Sequence, residues 1–200
     1  MTNVTSRDPE QTRQRILGAA SDLFVDKGFA GVTLREVAQH SGVTKSLIHH
    51  HFGSKEALWG AVLEHNFARY YIGQKAELVN AAESLPELLQ DGVRRYFHFL
   101  RDNPQMLRLF AWGLLAGDAK SGEMDIELVS LGAEHVRNAQ QQGLLRDDIN
   151  PSHVMATFIY VCTQWFLNKK PHADWPGLGT DEAFLEDFLK IFMEGLLPRN

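Results

Sequence analysis

The sequence predicts an all-α protein: an N-terminal three-helix domain containing a helix-turn-helix, then a C-terminal helical bundle, with about nine helices in total. Three observations carry that expectation. Apolar residues recur at spacings of three and four along most of the chain, and no sustained period-two alternation marks a strand. Ser, Thr, Asp or Asn precedes the periodic segments, often with Pro or Glu in the first turn, and Gly or Pro follows many of them. The composition, 44% hydrophobic and 22% charged over 200 residues, is that of a soluble globular protein of one or two domains.

Asp8 and Pro9 open the first helix, since a carboxylate can accept a free N–H and proline at the first helical position gives up no needed hydrogen bond. Ile16, Leu17, Ala20, Leu23 and Phe24 follow at helical spacing, and Gly28 is the expected stop. Thr33 and Glu36 form a capping box for a second helix with Leu34, Val37 and Ala38 on its apolar side, ended by Gly42. Thr44 caps a short third helix to about residue 50, and Ser54 caps a fourth to near residue 79. Ser84 and Glu87 make a second capping box, and Leu85, Leu88, Leu89, Val93, Tyr96, Phe97 and Leu100 form one broad stripe. Asn103 and Pro104 restart the chain into "MLRLFAWGLLAG", apolar on nearly every side, as suits a helix buried in a bundle. A seventh helix spans about residues 124–142 and stops at Gly143. Asn150 and Pro151 open an eighth, and Thr180 caps a ninth whose acidic first turn suits the positive helix end.

Composition also excludes some functions. No apolar run approaches the roughly 18–20 residues that span a bilayer. The polar opening "MTNVTSRDPEQTRQR" lacks a signal-peptide core, so a cytoplasmic location and no membrane partner are expected. Cys162 is the one cysteine, which leaves neither an intrachain disulfide nor a Cys-rich zinc site. The net charge of -5 is unevenly spread: residues 1–60 carry seven Lys+Arg against six Asp+Glu (+1), residues 61–200 thirteen against nineteen (-6). Charge permits a small DNA-facing region without by itself suggesting one.

Two short helices joined by a tight Gly-containing turn form a helix-turn-helix, whose second helix can enter a major groove by its N-terminal residues. The helix from Thr33 to His40, the turn Ser41-Gly42-Val43 and the helix from Thr44 have that spacing. The stretch "TLREVAQHSGVTKSLIHHHFGSKEAL" closely resembles the signature of TetR-type transcriptional regulators through Thr33, Ala38, Gly42, Val43, Phe52, Ser54, Lys55, Glu56 and Leu58. "AASDLFVDKGFAGVT" is similar to the family's first helix and following turn. The match covers roughly residues 9–60; the rest is similar only in being helical and of suitable length.

The resemblance implies a reader helix that begins at Thr44. It puts Thr44, Lys45 and Ser46 toward the groove and Leu47 near thymine methyls, with Lys45 reaching a phosphate or a guanine edge. Thr33 would hold a phosphate by its hydroxyl and backbone N–H, and Lys55 another. Capping alone is the plainer role for Thr33 and Thr44, and the two roles are compatible. The run His49-His50-His51 cannot converge on one metal, because successive helical residues point about 100° apart. His49 stands where the family usually has a phosphate-contacting Tyr, His50 is also placed for the backbone, and His51 is expected to pack. Ser46 and Leu47, where Gly-Thr is common, suggest a distinct operator preference.

The resemblance further implies a division into residues 1–53, a DNA-binding domain, and residues 54–200, a ligand-sensing and dimerisation domain. The last two helices would pair with their copies through Phe158, Cys162, Phe166, Phe184, Phe188, Phe192 and Leu196, although periodicity alone favours an intrachain core for most of them. Phe67, Tyr70, Tyr71, Tyr96, Phe97, His98, Phe110, Trp112 and Trp165 are candidate pocket residues, the Tyr, Trp and His among them having polar ends to orient a ligand. The expected function is a ligand-responsive dimeric repressor released from a palindromic operator by a small apolar or aromatic molecule, without cofactor, metal or catalytic residue. Two alternatives remain: a helical metal-dependent hydrolase, for which no His-Glu-x-x-His spacing appears, and a protein-interaction module with a reader-like domain.

Overall fold

The computed structural model describes residues 8–80, 85–116, 122–170, 172 and 174–198. Among the described residues the chain forms nine helices and no strand: α1 (Pro9–Gly31), α2 (Leu34–Ser41), α3 (Lys45–Phe52), α4 (Lys55–Asn80), α5 (Leu85–Asp102), α6 (Pro104–Ala116), α7 (Glu123–Gln141), α8 (Pro151–Asn168) and α9 (Asp181–Leu196). The all-α reading therefore holds. Asp8, Thr33, Thr44, Asn150 and Thr180 each accept a backbone N–H as N-caps. Ser54 Oγ likewise accepts from the Ala57 N–H at the start of α4. The expected Ser84 cap lies outside the described residues.

Gly28 ends the regular run of α1, as expected, but as a kink and not as the end of the element. It kinks the helix at φ 70°, ψ 174°, and a further turn continues to Gly31. A Cβ at Gly28 would stand 2.6 Å from Trp112 Cδ2, so the α6 indole lies directly on the kink. The Trp112 Nε1–H donates to Val25 O at 3.3 Å, reaching α1 just before the kink.

The chain packs as two compact units: Met1–Phe67 with Arg108–Gly122, and Ala68–Leu107 with Glu123–Asn200. Both α4 and α6 contribute to each unit. In the first, α1 packs on α2 and α2 on α3. Ile16, Leu17, Phe24, Val32, Val37, Ile48, Leu58 and Val62 are all but inaccessible. Each such side chain contributes about 1.5–3 kcal/mol through removal from water. Trp59 meets the edge of Phe24 with ring centroids 5.0 Å apart.

In the second unit α5 is the hub, packed against α7, α8 and α9, while α7 packs on α8. Val93, Phe97, Leu100, Cys162 and Leu185 form its inaccessible centre. At Gly132 of α7 the Met155 side chain of α8 fills the space that a Cβ would take. The Arg146 N–H donates to Leu196 O at 2.9 Å and tethers the end of α9 to the loop after α7.

Candidate nucleic-acid interface and effector region

The turn between α2 and α3 is fixed from two sides. Gly42 adopts φ 64°, ψ 31°, a left-handed conformation that costs glycine little, and its N–H donates to Ala38 O. Arg15 of α1 reaches across: its Nη2 donates to Ser41 O at 2.9 Å and Gly42 O at 3.2 Å. These carbonyls lie at the end of α2, where intrahelical donors run out and the helix dipole is negative, so a cation is doubly suited to them. The sequence reading missed Arg15, because its partners lie more than twenty residues away and no local pattern signals them.

Thr44 Oγ1 accepts from the Leu47 N–H at 3.3 Å, which starts α3. Thr44, Lys45 and Ser46 are exposed and Leu47 is half-buried, whereas Ile48 is 1% exposed and anchors the helix. Thr33 is more constrained than its sequence role suggested. Its N–H donates to Glu36 Oε2 at 2.8 Å, and its hydroxyl both donates to that carboxylate and accepts from the Glu36 N–H. Lys27 Nζ stands 2.9 Å from the other Glu36 oxygen. The Lys27 hydrogen bond, then the two from Thr33, pull the Glu36 carboxyl down to about 2. Both Thr33 groups assigned to a phosphate are therefore held by a side-chain anion, which a phosphate would have to displace.

Lys55 is half-buried with Nζ 4.3 Å from the Phe29 ring centroid, a cation–π placement. Arg13 lies over the Phe52 ring at 5.3 Å. The histidines diverge. His49 Nδ1 lies 2.8 Å from Gly53 O, and a carbonyl only accepts, so Nδ1 carries the proton. Neutral His49 then offers only a lone pair at Nε2; the imidazolium offers a second N–H, as a phosphate contact requires. The exposed His50 meets His51 edge-on at 5.5 Å, and His51 lies 6.3 Å from Phe52. Among the described residues no group of three or more His, Cys, Asp and Glu side chains could hold a metal ion.

The nine candidate pocket residues fall into different surroundings. Phe67, Phe110 and Trp112 belong to the first unit. Phe67 is buried, Phe110 half-buried, and Trp112 sits on the α1 kink. In the second unit Tyr70 and Tyr96 come together with ring centroids 5.7 Å apart, joined by Phe99, which the sequence reading did not select, stacked on Tyr70 at 4.7 Å. Burial pushes the hydroxyls of both tyrosines upward. The Tyr96 and Thr163 hydroxyls lie 3.0 Å apart in a hydrogen bond. Tyr71 instead donates to Glu127 and accepts from Lys75 Nζ at 2.9 Å. His98 Nε2 lies 3.4 Å from Glu182. Phe97 packs against Phe166 and Phe184; Trp165 stacks on Phe184 at 3.8 Å and donates from Nε1 to Asp181 at 3.1 Å.

The residues assigned to a subunit interface occupy α8 and α9. Phe158, Cys162, Phe188, Phe192 and Leu196 are buried within one chain, and Phe166 and Phe184 half-buried. Burial raises the Cys162 thiol to about 12. The large apolar side chains that the same helices leave exposed are Tyr160, at 67%, and Ile191, at 72%. No helix among the described residues is long and apolar enough to cross a membrane.

Comparison with known proteins agrees with this architecture. Residues 16–62 match the family described as "Bacterial regulatory proteins, tetR family", and residues 89–182 match "Tetracyclin repressor-like, C-terminal domain". The HTH-type transcriptional regulator RutR of Escherichia coli (strain K12) is 30% identical over 209 residues, covering 99% of this chain and 96% of RutR. The HTH-type transcriptional repressor NicS of Pseudomonas putida is 27% identical over 191 residues, 91% of this chain and 87% of NicS. Among solved structures, a gamma-butyrolactone receptor (ArpA-like protein) superposes with a TM-score of 0.67 at 25% identity, covering 96% of this chain and 91% of that one. CprB of Streptomyces coelicolor A3(2), described as a TetR family protein, gives 0.66 at 25% identity over 94% and 90%. With a glycine-turned pair of short helices at its N-terminus and similarity to RutR along nearly its whole length, the chain belongs to the TetR family of DNA-binding transcriptional regulators.

Proposed function

We propose that the chain acts as a dimeric repressor, released from a palindromic operator by a small, largely apolar or aromatic effector. The observation that carries this reading is the leading end of α3, where Thr44, Lys45 and Ser46 are exposed while Ile48 fixes the helix to the core. A recognition helix presents its N-terminal residues to base edges in this way. Lys45 reads a guanine edge or a phosphate and Leu47 meets thymine methyls, while Thr33, His49, His50 and Lys55 hold the backbone. Residues 1–53 form the reader and residues 54–200 the sensing and dimerisation part.

Two copies pair through α8 and α9. Tyr160 and Ile191 lie at the seam, supported from within by Phe158, Cys162, Phe188, Phe192 and Leu196. A twofold dimer presents two readers to half-sites about 34–36 Å apart. The effector is taken up in the second unit near Tyr70 and Tyr96. It acts by favouring a dimer whose readers are wrongly spaced, and reversing a 1:99 preference to 99:1 needs roughly 5.5 kcal/mol of differential binding. The helices α4 and α6, which contribute to both units, carry the change. The name of NicS, a repressor, supports the sign of regulation.

Selection of bound genomic fragments by the purified chain tests the reading, and recovered sites are expected to show twofold symmetry. With about 6–10 phosphate contacts, affinity falls roughly 10³–10⁵-fold between 50 and 200 mM salt. Lys55→Ala weakens binding to all duplexes alike, whereas Lys45→Ala also changes sequence preference. A folded chain that stays monomeric and retains no duplex at low salt, or a Lys45→Ala variant with unaltered affinity and preference, overturns it.

A further inference from the structure

The three arginines of α5 differ in kind. Arg94 pairs with Glu186, and Arg101 with Asp102 and Glu182, all at the surface. Arg95 turns inward. Its Nε donates to Gln74 Oε1 at 2.8 Å, and its Nη2 is buried with no hydrogen-bond partner among the described residues. Gln74 is itself buried on α4 and carries no charge to oppose the guanidinium. At Gly92 a Cβ would stand 3.4 Å from Gln74 Nε2, so the α5 backbone closes on the same amide. A buried donor without an acceptor costs about 1–3 kcal/mol, and more when charged, so native interiors rarely keep one without a compensating partner.

The surroundings indicate what that partner is. Tyr70 lies one turn before Gln74 on α4, stacked on Phe99 and beside Tyr96, whose hydroxyl is already bonded to Thr163. Burial and then Tyr96 push the Tyr70 hydroxyl upward; Arg95 opposes the push and Asp125 adds to it, so both charges act on this one hydroxyl. We infer that Arg95 anchors an effector bearing a single carboxylate on an apolar body, received by α4, α5 and α8 in the second unit. This rests on the effector reading above and narrows it to a chemical class.

A guanidinium stays charged at every physiological pH, so the acceptor that completes it best also neutralises it; a carboxylate does both, and an amide carbonyl only the first. One carboxylate suffices, because Arg95 Nη2 is the one buried side-chain donor left without a hydrogen-bond partner among the described residues. The tyrosine and phenylalanine rings favour an apolar remainder.

The test is calorimetric titration of the full chain, without DNA, with three acids and their amides: benzoate and benzamide, phenylacetate and phenylacetamide, octanoate and octanamide. At least one acid is expected to bind tenfold or more tightly than its amide. Arg95→Met should abolish that preference by weakening the acid more than the amide, and Arg95→Lys, which keeps the charge, should retain part of it. The acid–amide comparison in the unaltered chain needs no variant and so survives a folding defect. Three results overturn the proposal: amides that bind as tightly as acids, no binding by any of the six (Nη2 then being met by trapped water), or an undiminished acid preference in a folded Arg95→Met chain. Operator retention, measured separately on the same samples, tests the reading beneath it: an acid that binds through Arg95 yet leaves DNA binding unchanged upholds the site and refutes its role as effector site.

Discussion

Gly28→Ala probes the joint between α1 and α6. At φ 70°, ψ 174° the backbone occupies a region open essentially to glycine alone, and a side chain there costs about 1–3 kcal/mol. The added Cβ also falls 2.6 Å from Trp112 Cδ2 and 2.7 Å from Cε3, against the body of an indole rather than a flexible tip. Overpacking of this kind costs about 1–3 kcal/mol. One backbone shift can relieve part of both, so the expected loss is about 2–4 kcal/mol, or a fall in Tm of roughly 5–15 °C for a chain of this size. Urea unfolding of Gly28→Ala, Trp112→Ala and the double variant measures it. Truncating the indole removes the collision and leaves only the backbone component. The double variant is then expected to be about 1–3 kcal/mol more stable than the sum of the single losses predicts. A Gly28→Ala chain within about 0.5 kcal/mol of the parent, or losses that simply add, would refute the reasoning.

Three further outcomes are expected. Arg15→Ala removes two hydrogen bonds from a charged donor to the α2–α3 turn; each is worth about 1.5–3 kcal/mol at most, less with solvent access. Operator affinity in a fluorescence anisotropy titration should fall more than Tm does, and an affinity equal to the parent's would remove Arg15 from the reader's support. The Glu36 carboxyl, ordinarily near 4.5, is held at about 2 in the folded chain. Its stabilising effect is present above 4.5 and lost as pH falls toward 2. Glu36→Gln should therefore show a shallower decline of Tm across that window, and parallel curves would mean that the capping box is not the titrating element. His49→Phe, which keeps a ring of similar shape but has no nitrogen, should weaken operator binding in the same anisotropy titration, and an affinity equal to the parent's would count against the histidine contact.

The Thr33 cap shows how a local motif can be read correctly while its chemistry stays undecided. The spacing of Thr33 and Glu36 predicts the capping box, and the box is present. Only the three-dimensional arrangement shows that Glu36 is further held by Lys27, so that the helix end assigned to a phosphate already contains an anion. The same limit applies to Lys55, whose charge rests on the Phe29 ring, a neighbour outside its own helix.

The sequence alone determined the helices, the caps at Asp8, Thr33, Thr44, Ser54, Asn150 and Thr180, the left-handed glycine of the reader turn and the family to which the turn belongs. Periodicity, capping and backbone preference all act within a few residues, so they are written in the order of the chain. Tertiary structure decided the rest. Gly28 could end a helix or kink it, and Trp112 of α6 accompanies the kink. The apolar faces of α8 and α9 read alike along the sequence, and only packing shows that Phe158, Cys162, Phe188, Phe192 and Leu196 are buried within the chain while Tyr160 and Ile191 stay exposed. Arg15 and Arg95 each take partners from another helix, Arg15 at the α2–α3 turn and Arg95 at Gln74. Such pairings depend on where packing brings distant residues, and no local spacing encodes that.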